Sequence, residues 1–311
     1  MPDIKNLTEE EKLAEIERQK QLASDNPTGF KVIVKEFKHD KVAMTALVIL
    51  VLVWLSIFIG SLFIDTKEAM VVNILKTWRK PGQDGFFLGT DMGGRSIAKQ
   101  LILGGRNSVV IGILVTLLTS GIGLLVGLFI GYYGGWVDNL GMRIIDFIQI
   151  LPTLMLIIVI VTIVPNYTMW TFIFVMGIFY WPGMARLVRS KALSEARRDY
   201  VNASKTMGTS DFKIMFTGIL PNISSILIVD GTLSFAANIG IETGLSYLGF
   251  GLPQNTPSLG TLIGYARRPE VISDKIYVWI PASLMILVMM LCINYIGQAL
   301  RRASDAKQRV A

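Results

Sequence analysis

Four long stretches of this sequence contain no charged residue, and they limit the chain to a membrane-spanning fold. These stretches are Val42–Ile64, Asn107–Val137, Phe147–Ala185 and Ile276–Leu300. A hydrocarbon core about 30 Å thick is crossed by roughly 20 apolar residues in a helix, because each residue advances the helix by about 1.5 Å. Phe147–Ala185 is long enough for two spans, which Pro165-Asn166 separates. The charge-free stretches therefore predict five transmembrane helices.

A sixth span is predicted at Asn222–Tyr247, where Asp230 and Glu242 interrupt an otherwise apolar stretch. The chain is 52% apolar and only 17% charged, whereas charged residues make up about a quarter of an ordinary soluble domain. We therefore expect an all-α, polytopic membrane protein with six transmembrane helices.

The positive charge of the chain follows the topology that six spans imply. With the N-terminus inside, the termini, Gly134–Met142 and Arg186–Pro221 are cytoplasmic, and these parts together with Arg143 hold 20 of the 30 Lys and Arg residues. This is the bias of the positive-inside rule. Seven basic residues lie in the outer loop Asp65–Arg106, but long loops are translocated largely regardless of charge. Topology accounts for the net charge of +7, and nucleic-acid binding is not predicted.

The positions of the predicted spans divide the chain into five parts. Residues 1–41 are predicted to form a cytoplasmic tail, 42–64 the first span, 65–106 an extracytoplasmic loop, 107–300 a core of five spans, and 301–311 a second cytoplasmic tail. In the first tail, Phe30, Val34 and Phe37 recur at helical spacing among lysines. This spacing favours a helix on the membrane surface, although an ordinary basic juxtamembrane stretch explains it as well.

Two local patterns concern helix packing. Gly123, Gly127, Gly131 and Gly135 recur every four residues, which lets two helices approach closely in lipid. Arg143 and Asp146 are spaced by one turn, and we expect them to form an ion pair at the membrane interface.

The cytoplasmic loop Arg186–Pro221 is too long for a simple helix–helix connection. Ala192–Met207 is compatible with a helix, and Gly208 can end it in the left-handed conformation. A second short helix is expected at Asp211–Thr217, after which Pro221-Asn222 begins the fifth span. Two short helices joined at a glycine would form a compact projection for a soluble partner.

This loop resembles the EAA loop of ABC-importer permeases. That motif reads E-A-A, three residues, G, nine residues and I-x-L-P; here Ala203 matches its middle alanine, Gly208 its glycine, and Leu220-Pro221 its end. Asn202, Ser204 and Gly218 depart from it. The resemblance implies contacts with a cytoplasmic ATPase from these residues: Asp199, Tyr200, Ala203, Ser204, Met207, Gly208, Asp211, Leu220 and Pro221.

Further motifs are similar to those of the C-type permease subunits of oligopeptide and dipeptide transporters. They are LGTDMGGR at 88–95, GRNS at 105–108, GYYGGWVD at 131–138, Leu151-Pro152, ETGLSYLGFG at 242–251 and TPSLG at 256–260. The resemblance implies the type I ABC importer permease fold in a bacterial cell membrane. It also implies a second permease, two cytoplasmic ATPases that bind ATP and Mg²⁺, and an extracytoplasmic peptide-binding protein. This chain itself is expected to bind no cofactor.

The sequence offers little support for an enzyme. The chain has one histidine, His39, one cysteine, Cys292, and no G-x-x-x-x-G-K-[ST] motif, so no catalytic residue, metal site or ATP site is predicted. A secondary transporter or channel remains the rival from a different class, since hydropathy does not separate it from a permease. Within the peptide branch, a nickel-complex permease remains an alternative.

The two acidic residues of the fifth span have separate predicted roles. Asp230 lies deep, where a carboxylate facing lipid is costly, so it belongs with Ser234 and Asn238 either to the substrate path or to a helix contact. Glu242 is expected at the outer end, satisfying backbone N–H groups of a re-entrant or interfacial element at Leu248–Pro257, with water exposure as the alternative. The predicted outer-face residues are Glu242, Ser246, Gly249 and Gly251.

Overall fold

The computed structural model describes residues 37–253 and 255–310, and the described side chains end at Ser304. The helix predicted around Phe30 and Val34 lies outside these residues. The described part of the chain is helical and contains no strand, only an isolated bridge between Thr90 and Ser96. An all-α fold is therefore confirmed.

Ten helices are named here in chain order. They are α1 Lys41–Leu62, α2 Ile97–Tyr133, α3 Gly135–Ile150, α4 Thr153–Ile163, α5 Met169–Glu195, α6 Asp199–Thr206, α7 Leu220–Leu248, α8 Leu259–Gly264, α9 Pro269–Asp274 and α10 Ile276–Val310. Shorter turns lie at Thr66–Ala69, Ile74–Lys76, Gln83–Gly85, Asp211–Lys213 and Tyr265–Arg267, and a π-helical segment at Ile214–Ile219.

Among the described residues, five helices are candidate spans, and a bent helix pair brings the number to the predicted six if it is counted as one span. Helices α1, α2, α5, α10 and the continuous helix Asp211–Leu248 are each long and apolar enough to cross a membrane. Helices α3 and α4 meet at a 72° bend and together form a sixth candidate span. As predicted, no helix continues through Pro165-Asn166, since α4 ends at Ile163 and α5 begins at Met169.

Two predicted boundaries are wrong because charged residues lie inside helices. The second span begins at Ile97 rather than Asn107 and includes Lys99 and Arg106, so the preceding loop is shorter than expected. The predicted turn Gly134–Met142 is mostly the first half of α3. Lys99 lies in the first turn of α2, and Asp138 of α3 has a partner on α5.

The glycine ridge of α2 packs against α5, as predicted for three of its four members. A Cβ on Gly123 would lie 2.6 Å from Met184 Cβ, one on Gly131 would lie 2.6 Å from Arg189 O, and one on Gly127 would overlap Ala185 O. Gly135 is not part of the contact, because it begins α3 beyond the turn.

The predicted ion pair within α3 is wrong. Asp146 accepts a hydrogen bond from Arg186 of α5, with an Nη2–Oδ1 distance of 2.6 Å, and not from Arg143. Asp138 of the same helix pairs with Arg189, one turn after Arg186, through Nε–Oδ1 at 2.6 Å and a second contact from Nη2. Both acidic residues of α3 therefore attach it to α5.

Helices α7 and α10 run antiparallel through the largest apolar core. Gly240 of α7 faces Met290, and Gly297 of α10 faces Leu233. Buried residues of α1, α2, α7, α8 and α10 meet in this core, among them Ile57, Val109, Ile239, Leu262 and Met289. Helix α8 thus packs into the bundle rather than lying on its surface.

The bundle has two distinct ends. One, named the loop end, carries the loop of residues 196–219. The other, named the cap end, carries residues 63–96 and the cap, residues 249–275. The first and last long helices meet at the loop end, where Asp40 caps α1 through Ala43 N at 3.0 Å and accepts from Arg302 Nη2 at 2.5 Å. These two interactions hold the pKa of the Asp40 carboxyl below its usual value.

Candidate functional site

The loop of residues 196–219 begins with a break that the sequence did not predict. Helix α5 ends at Glu195 and α6 begins at Asp199, so the expected single helix Ala192–Met207 is divided. Arg198 Nε lies 3.0 Å from Glu195 Oε1 across this break. At the other end of α6, Gly208 has φ of 77°, which confirms the left-handed conformation predicted there.

The second half of the loop does not form a separate short helix. Residues Asp211–Lys213 continue through a π-helical segment into α7, so that Asp211–Leu248 is one helix. In this segment Leu220 N donates to Met215 O, five residues earlier. The wider turn accommodates Pro221, which has no N–H to donate. The second half of the loop is therefore continuous with α7.

Apolar packing fixes the loop to the bundle. Val201 of α6 is fully buried, and it clusters with Ile214 and Ile219 against Val188 and Ala192 of α5. Burial of these side chains favours one position of the loop, because apolar area removed from water contributes about 25 cal/mol per Å².

Polar contacts link the loop to three membrane helices. Tyr132 Oη, at the end of α2, donates to Asp211 Oδ1 at 2.6 Å, and Lys205 Nζ lies 4.6 Å from the Tyr132 ring centroid. Tyr200 Oη donates to Glu195 Oε2 at 2.8 Å and accepts from Asn222 Nδ2 at 3.1 Å. Burial raises the pKa of the Tyr200 phenol, and the Glu195 carboxylate adds to the rise. The phenol is therefore a permanent donor between α5 and α6.

The opposite face of the loop is exposed and partly apolar. Met207 is 77% exposed and Phe212 is 68% exposed, and Ala203 lies one helical turn before Met207 on α6. Of the other predicted loop residues, Asp199, Gly208 and Pro221 are exposed, whereas Tyr200, Ser204, Asp211 and Leu220 are half-buried. A rigidly held projection with exposed apolar side chains is suited to binding another protein.

At the cap end, Glu242 is the centre of a buried hydroxyl network. It is fully buried, and its Oε2 and Oε1 accept from Ser108 and Ser246 Oγ, each at 2.8 Å. Ser108 Oγ in turn accepts from Leu259 N at 3.3 Å, and Ser246 Oγ accepts from Leu252 N at 3.4 Å. The prediction that Glu242 binds backbone N–H groups directly is wrong, because the two serines stand between them. Water exposure of this carboxylate is also excluded.

Close backbone contacts hold the cap onto this network. Gly249 ends α7 with φ of 91°, and a Cβ on Gly251 would overlap Ser246. Asn107 Nδ2 donates to Pro257 O at 2.8 Å. Of the expected element at Leu248–Pro257, Leu248 ends α7 and the other described residues form a loop, whereas the short helix of this region is α8, which begins at Leu259. All four predicted outer-face residues therefore lie together where α2, α7 and the cap meet.

The three predicted path residues do not share one surface. Asp230 is half-buried, with Ser234 Oγ 3.4 Å from its Oδ2. Asn238 is buried and donates to Thr116 Oγ1 of α2 at 2.9 Å. Residues of a helix are about 100° apart, so Asn238 lies about 80° around α7 from Asp230, whereas Ala237 lies within about 20°. Asn238 therefore joins two helices, and the path role stays a prediction for Asp230 and Ser234.

A groove continues along the Asp230 face of α7. It has a volume of about 480 Å³ and is lined by Ala237, Gly240 and Gly244 of α7 and by Leu154 and Ile158 of α4. Small residues on α7 and the bend between α3 and α4 leave this space open.

The sequence did not indicate why the LGTDMGGR motif is needed. Asp91 is fully buried and accepts from Arg95 Nε at 2.8 Å, Gln100 Nε2 at 2.9 Å and Tyr265 Oη at 2.9 Å. Arg95 Nη2 also donates to Tyr265 Oη at 2.6 Å. Burial raises the pKa of the Tyr265 phenol, and the charge of Asp91 raises it further. The motif therefore binds the 63–96 segment to the cap.

Among the described residues, no group of three or more His, Cys, Asp and Glu side chains is arranged to hold a metal ion. The buried polar groups at the cap end and the loop end are bound to one another across helices. Their geometry serves to join structural elements.

Comparison with known proteins gives one consistent result. The model of the family described as binding-protein-dependent transport system inner membrane component matches residues 123–310. The oligopeptide transport system permease protein OppC of Lactococcus lactis subsp. lactis (strain IL1403) is 49% identical over 276 residues, covering 89% of this chain and 94% of the relative. OppC of Bacillus subtilis (strain 168) is 33% identical over 280 residues, covering 90% of each chain. The dipeptide transport system permease protein DppC of Haemophilus influenzae (strain ATCC 51907 / DSM 11121 / KW20 / Rd) is 36% identical over 295 residues, covering 91% of this chain and 99% of the relative.

Proposed function

This chain belongs to the family of binding-protein-dependent transport system inner membrane components, and on that premise we propose that it is a permease subunit of an ATP-driven peptide importer. The observation that carries the proposal is the loop of residues 196–219. It is held to α2, α5 and α7 on one side, and on the other it presents Met207 and Phe212 to solvent.

The exposed side of the loop docks in a groove of a cytoplasmic ATPase subunit. Ala203 permits close approach, Met207 and Phe212 supply apolar contact area, and Gly208 sets the angle between the two halves of the loop. Two such ATPases bind the ATP and Mg²⁺, and this chain contributes no nucleotide site. The loop end and both chain termini are then cytoplasmic, in accord with the surplus of Lys and Arg in those parts of the sequence.

A second, related permease completes the translocation path. Asp230 supports this arrangement, since a half-buried carboxylate in the middle of a span should face water or protein rather than lipid. Asp230, Ser234 and the groove beside Ala237 and Gly244 face the path between the two permeases. ATP-driven closure of the ATPases moves the loop, and α7 moves with it because the helix is continuous from Asp211.

Peptides are the proposed substrates, delivered by an extracytoplasmic binding protein to the cap end. The relatives of highest identity given above are named for oligopeptide and dipeptide transport. In the proposed assembly the binding protein selects the peptide, and the permease supplies a path that accepts many side chains.

Uptake in proteoliposomes tests the proposal. The chain is purified with its co-expressed permease and ATPase partners, reconstituted, and supplied with the binding protein and a radiolabelled oligopeptide. Uptake should require ATP with Mg²⁺, persist in the presence of a proton uncoupler, and fall when unlabelled peptide competes. Abolition by the uncoupler despite ATP would identify a secondary transporter, and competition by a nickel chelate but not by peptide would identify a nickel-complex permease.

A further inference from the structure

Among the described residues outside the long helices, the most exposed aliphatic side chains lie in one short segment at the cap end. Residues 71–76 are exposed without interruption, and four of the six are Val71, Val72, Ile74 and Leu75. Ile74 is 79% exposed and Leu75 is 85% exposed. An exposed apolar run of this kind marks an interaction surface when its conformation is fixed.

Backbone hydrogen bonds do fix this segment. Asn73 N donates to Gly93 O at 2.7 Å, Lys76 N donates to Asn73 O at 3.0 Å, and Thr90 Oγ1 donates to Lys76 O at 2.5 Å. Residues 90–94 are themselves held by the buried Asp91 network. The aliphatic side chains therefore project from a rigid support and cannot turn inward to bury themselves.

The positions of α1 and α2 show at which height along the bundle residues 71–76 lie. Helix α1 has 22 residues and a length of about 33 Å, so its end at Leu62 reaches the boundary of a hydrocarbon core about 30 Å thick. Gly60 of α1 lies against Ile102 of α2. Glu68 Oε1 lies 3.7 Å from Lys99 Nζ, in the first turn of α2. The chain thus enters the 71–76 segment at the height where α1 leaves the membrane.

The segment also follows, a few residues along the chain, an exposed apolar stripe on α1. Exposed apolar residues recur along α1 at Val48, Leu52, Leu55, Ile59 and Leu62, with helical spacing. The stripe ends at Leu62 and Phe63, which are 82% and 84% exposed.

From this geometry we propose that Val71–Leu75 is an interfacial anchor, which inserts its aliphatic side chains into the headgroup–acyl boundary of the leaflet at the cap end. Lys76 and Lys67 flank the insertion and face lipid phosphates. A lipid surface fits the segment better than a protein does, because protein interfaces are enriched in aromatic residues, Met and Arg, which this run lacks. The anchor would hold the rigid 63–96 segment, and through Asp91 and Tyr265 the cap, at a fixed depth.

A single-cysteine reporter measures the depth directly. Cys292 is the only cysteine of the chain and is buried, so a Cys292→Ala background accepts one surface label. Leu75→Cys is labelled with an environment-sensitive fluorophore, and the permease, purified with its partners, is placed in nanodiscs whose lipids carry a shallow nitroxide quencher. Pro81→Cys, exposed in a turn of the same segment, is the matched control.

The dye at position 75 should emit at shorter wavelength than the control and be quenched at least severalfold more strongly by the lipid nitroxide. Emission and quenching equal to the control would overturn the anchor. A blue-shifted emission without lipid quenching would also overturn it, because the segment would then be covered by the second permease. So would a shift that arises only after the binding protein is added.

Discussion

Gly208 decides the direction in which the chain leaves α6. Its φ of 77° costs a residue with a β-carbon roughly 1–2 kcal/mol, although no neighbouring atom would touch that carbon. Gly208→Val should therefore leave membrane insertion and pairing with the second permease intact but turn Phe212 away from Met207. We expect ATP hydrolysis to continue while peptide uptake is lost, measured together in proteoliposomes.

The matched control is Gly208→Asn, because asparagine tolerates the left-handed conformation better than other residues with a β-carbon. It should retain most of the uptake that Gly208→Val loses. Wild-type uptake by the valine variant would show that the bend is not needed for coupling.

Glu242 is expected to stabilise the fold through its buried hydrogen bonds. Glu242→Ala removes the acceptor of two buried serine hydroxyls, and each group left unsatisfied costs about 1–3 kcal/mol. The variant should melt at a lower temperature in detergent, and Leu252 and Leu259 N–H groups should exchange hydrogen faster. Glu242→Gln, which keeps one carbonyl oxygen as acceptor, should lose less. Unchanged melting of the alanine variant would exclude the role.

Asp230 is tested through substrate charge. A peptide ammonium near this carboxylate in an aqueous path gains about 1 kcal/mol, which corresponds to roughly a fivefold effect. Asp230→Asn should therefore reduce uptake of cationic peptides several-fold more than that of acidic ones. Ser234→Ala, which removes only the 3.4 Å contact to Asp230 Oδ2, should change neither much. An equal loss for all peptides with poorer assembly would leave Asp230 a structural role alone.

At the scale of elements, the contact between α2 and α5 can be probed by adding one methyl group. Gly127→Ala would bring its Cβ into Ala185 O, whereas Gly121 has open space around the same position. Overpacking of this kind typically costs 1–3 kcal/mol, so Gly127→Ala should lower the melting temperature and the yield of assembled complex. Gly121→Ala should be neutral or slightly stabilising, since alanine is the better helix former by about 1 kcal/mol. Equal behaviour of the two variants would contradict close packing at the ridge.

The existence of the long helices was predictable from sequence, but several of their ends and partners were not. Absence of charge located the spans, because an unpaired charge in lipid is costly. This criterion did not place Asp138 and Asp146 inside α3, because their partners Arg189 and Arg186 are 51 and 40 residues away in the sequence. Distant partners were equally unpredictable at the cap end. Glu242 could be recognised in the sequence as an acidic residue in an apolar stretch, but its partner Ser108, 134 residues earlier, could not.

Local backbone conformation was easier to predict from the sequence than contacts between distant residues. The left-handed conformation of Gly208 was predictable, because one helix must end there before a second one starts. The π-helical segment before Pro221 was not predictable, since a proline after a short helix more often marks the start of a new helix than the continuation of the same one. Asn238 was placed on the wrong surface because its spacing from Asp230 was read as one face, and only the contact with Thr116 shows its direction.

For the whole molecule, α2 reaches from the cap end to the loop end, as the continuous helix Asp211–Leu248 also does. The 37 residues of α2 extend about 55 Å. Near one end Asn107 and Ser108 bind the cap and the Glu242 network, and at the other Tyr132 binds Asp211 in the loop. The glycine ridge attaches α5 along its second half. In the proposed importer, α2 carries a displacement of the loop to the cap as one continuous helix.

The bond between Tyr132 and Asp211 is the point at which this transmission can be interrupted with least damage. Tyr132→Phe keeps the ring that lies under Lys205 but removes the 2.6 Å hydrogen bond to Asp211. A hydrogen bond to a charged group contributes about 1.5–3 kcal/mol, so the loop should move partly without α2. We expect the number of peptides taken up per ATP hydrolysed to fall several-fold while ATPase binding stays normal. Tyr295→Phe, an exposed position on α10, should keep the wild-type ratio. If Tyr132→Phe also keeps that ratio, force passes from the loop to the membrane helices through α5 and α7 alone.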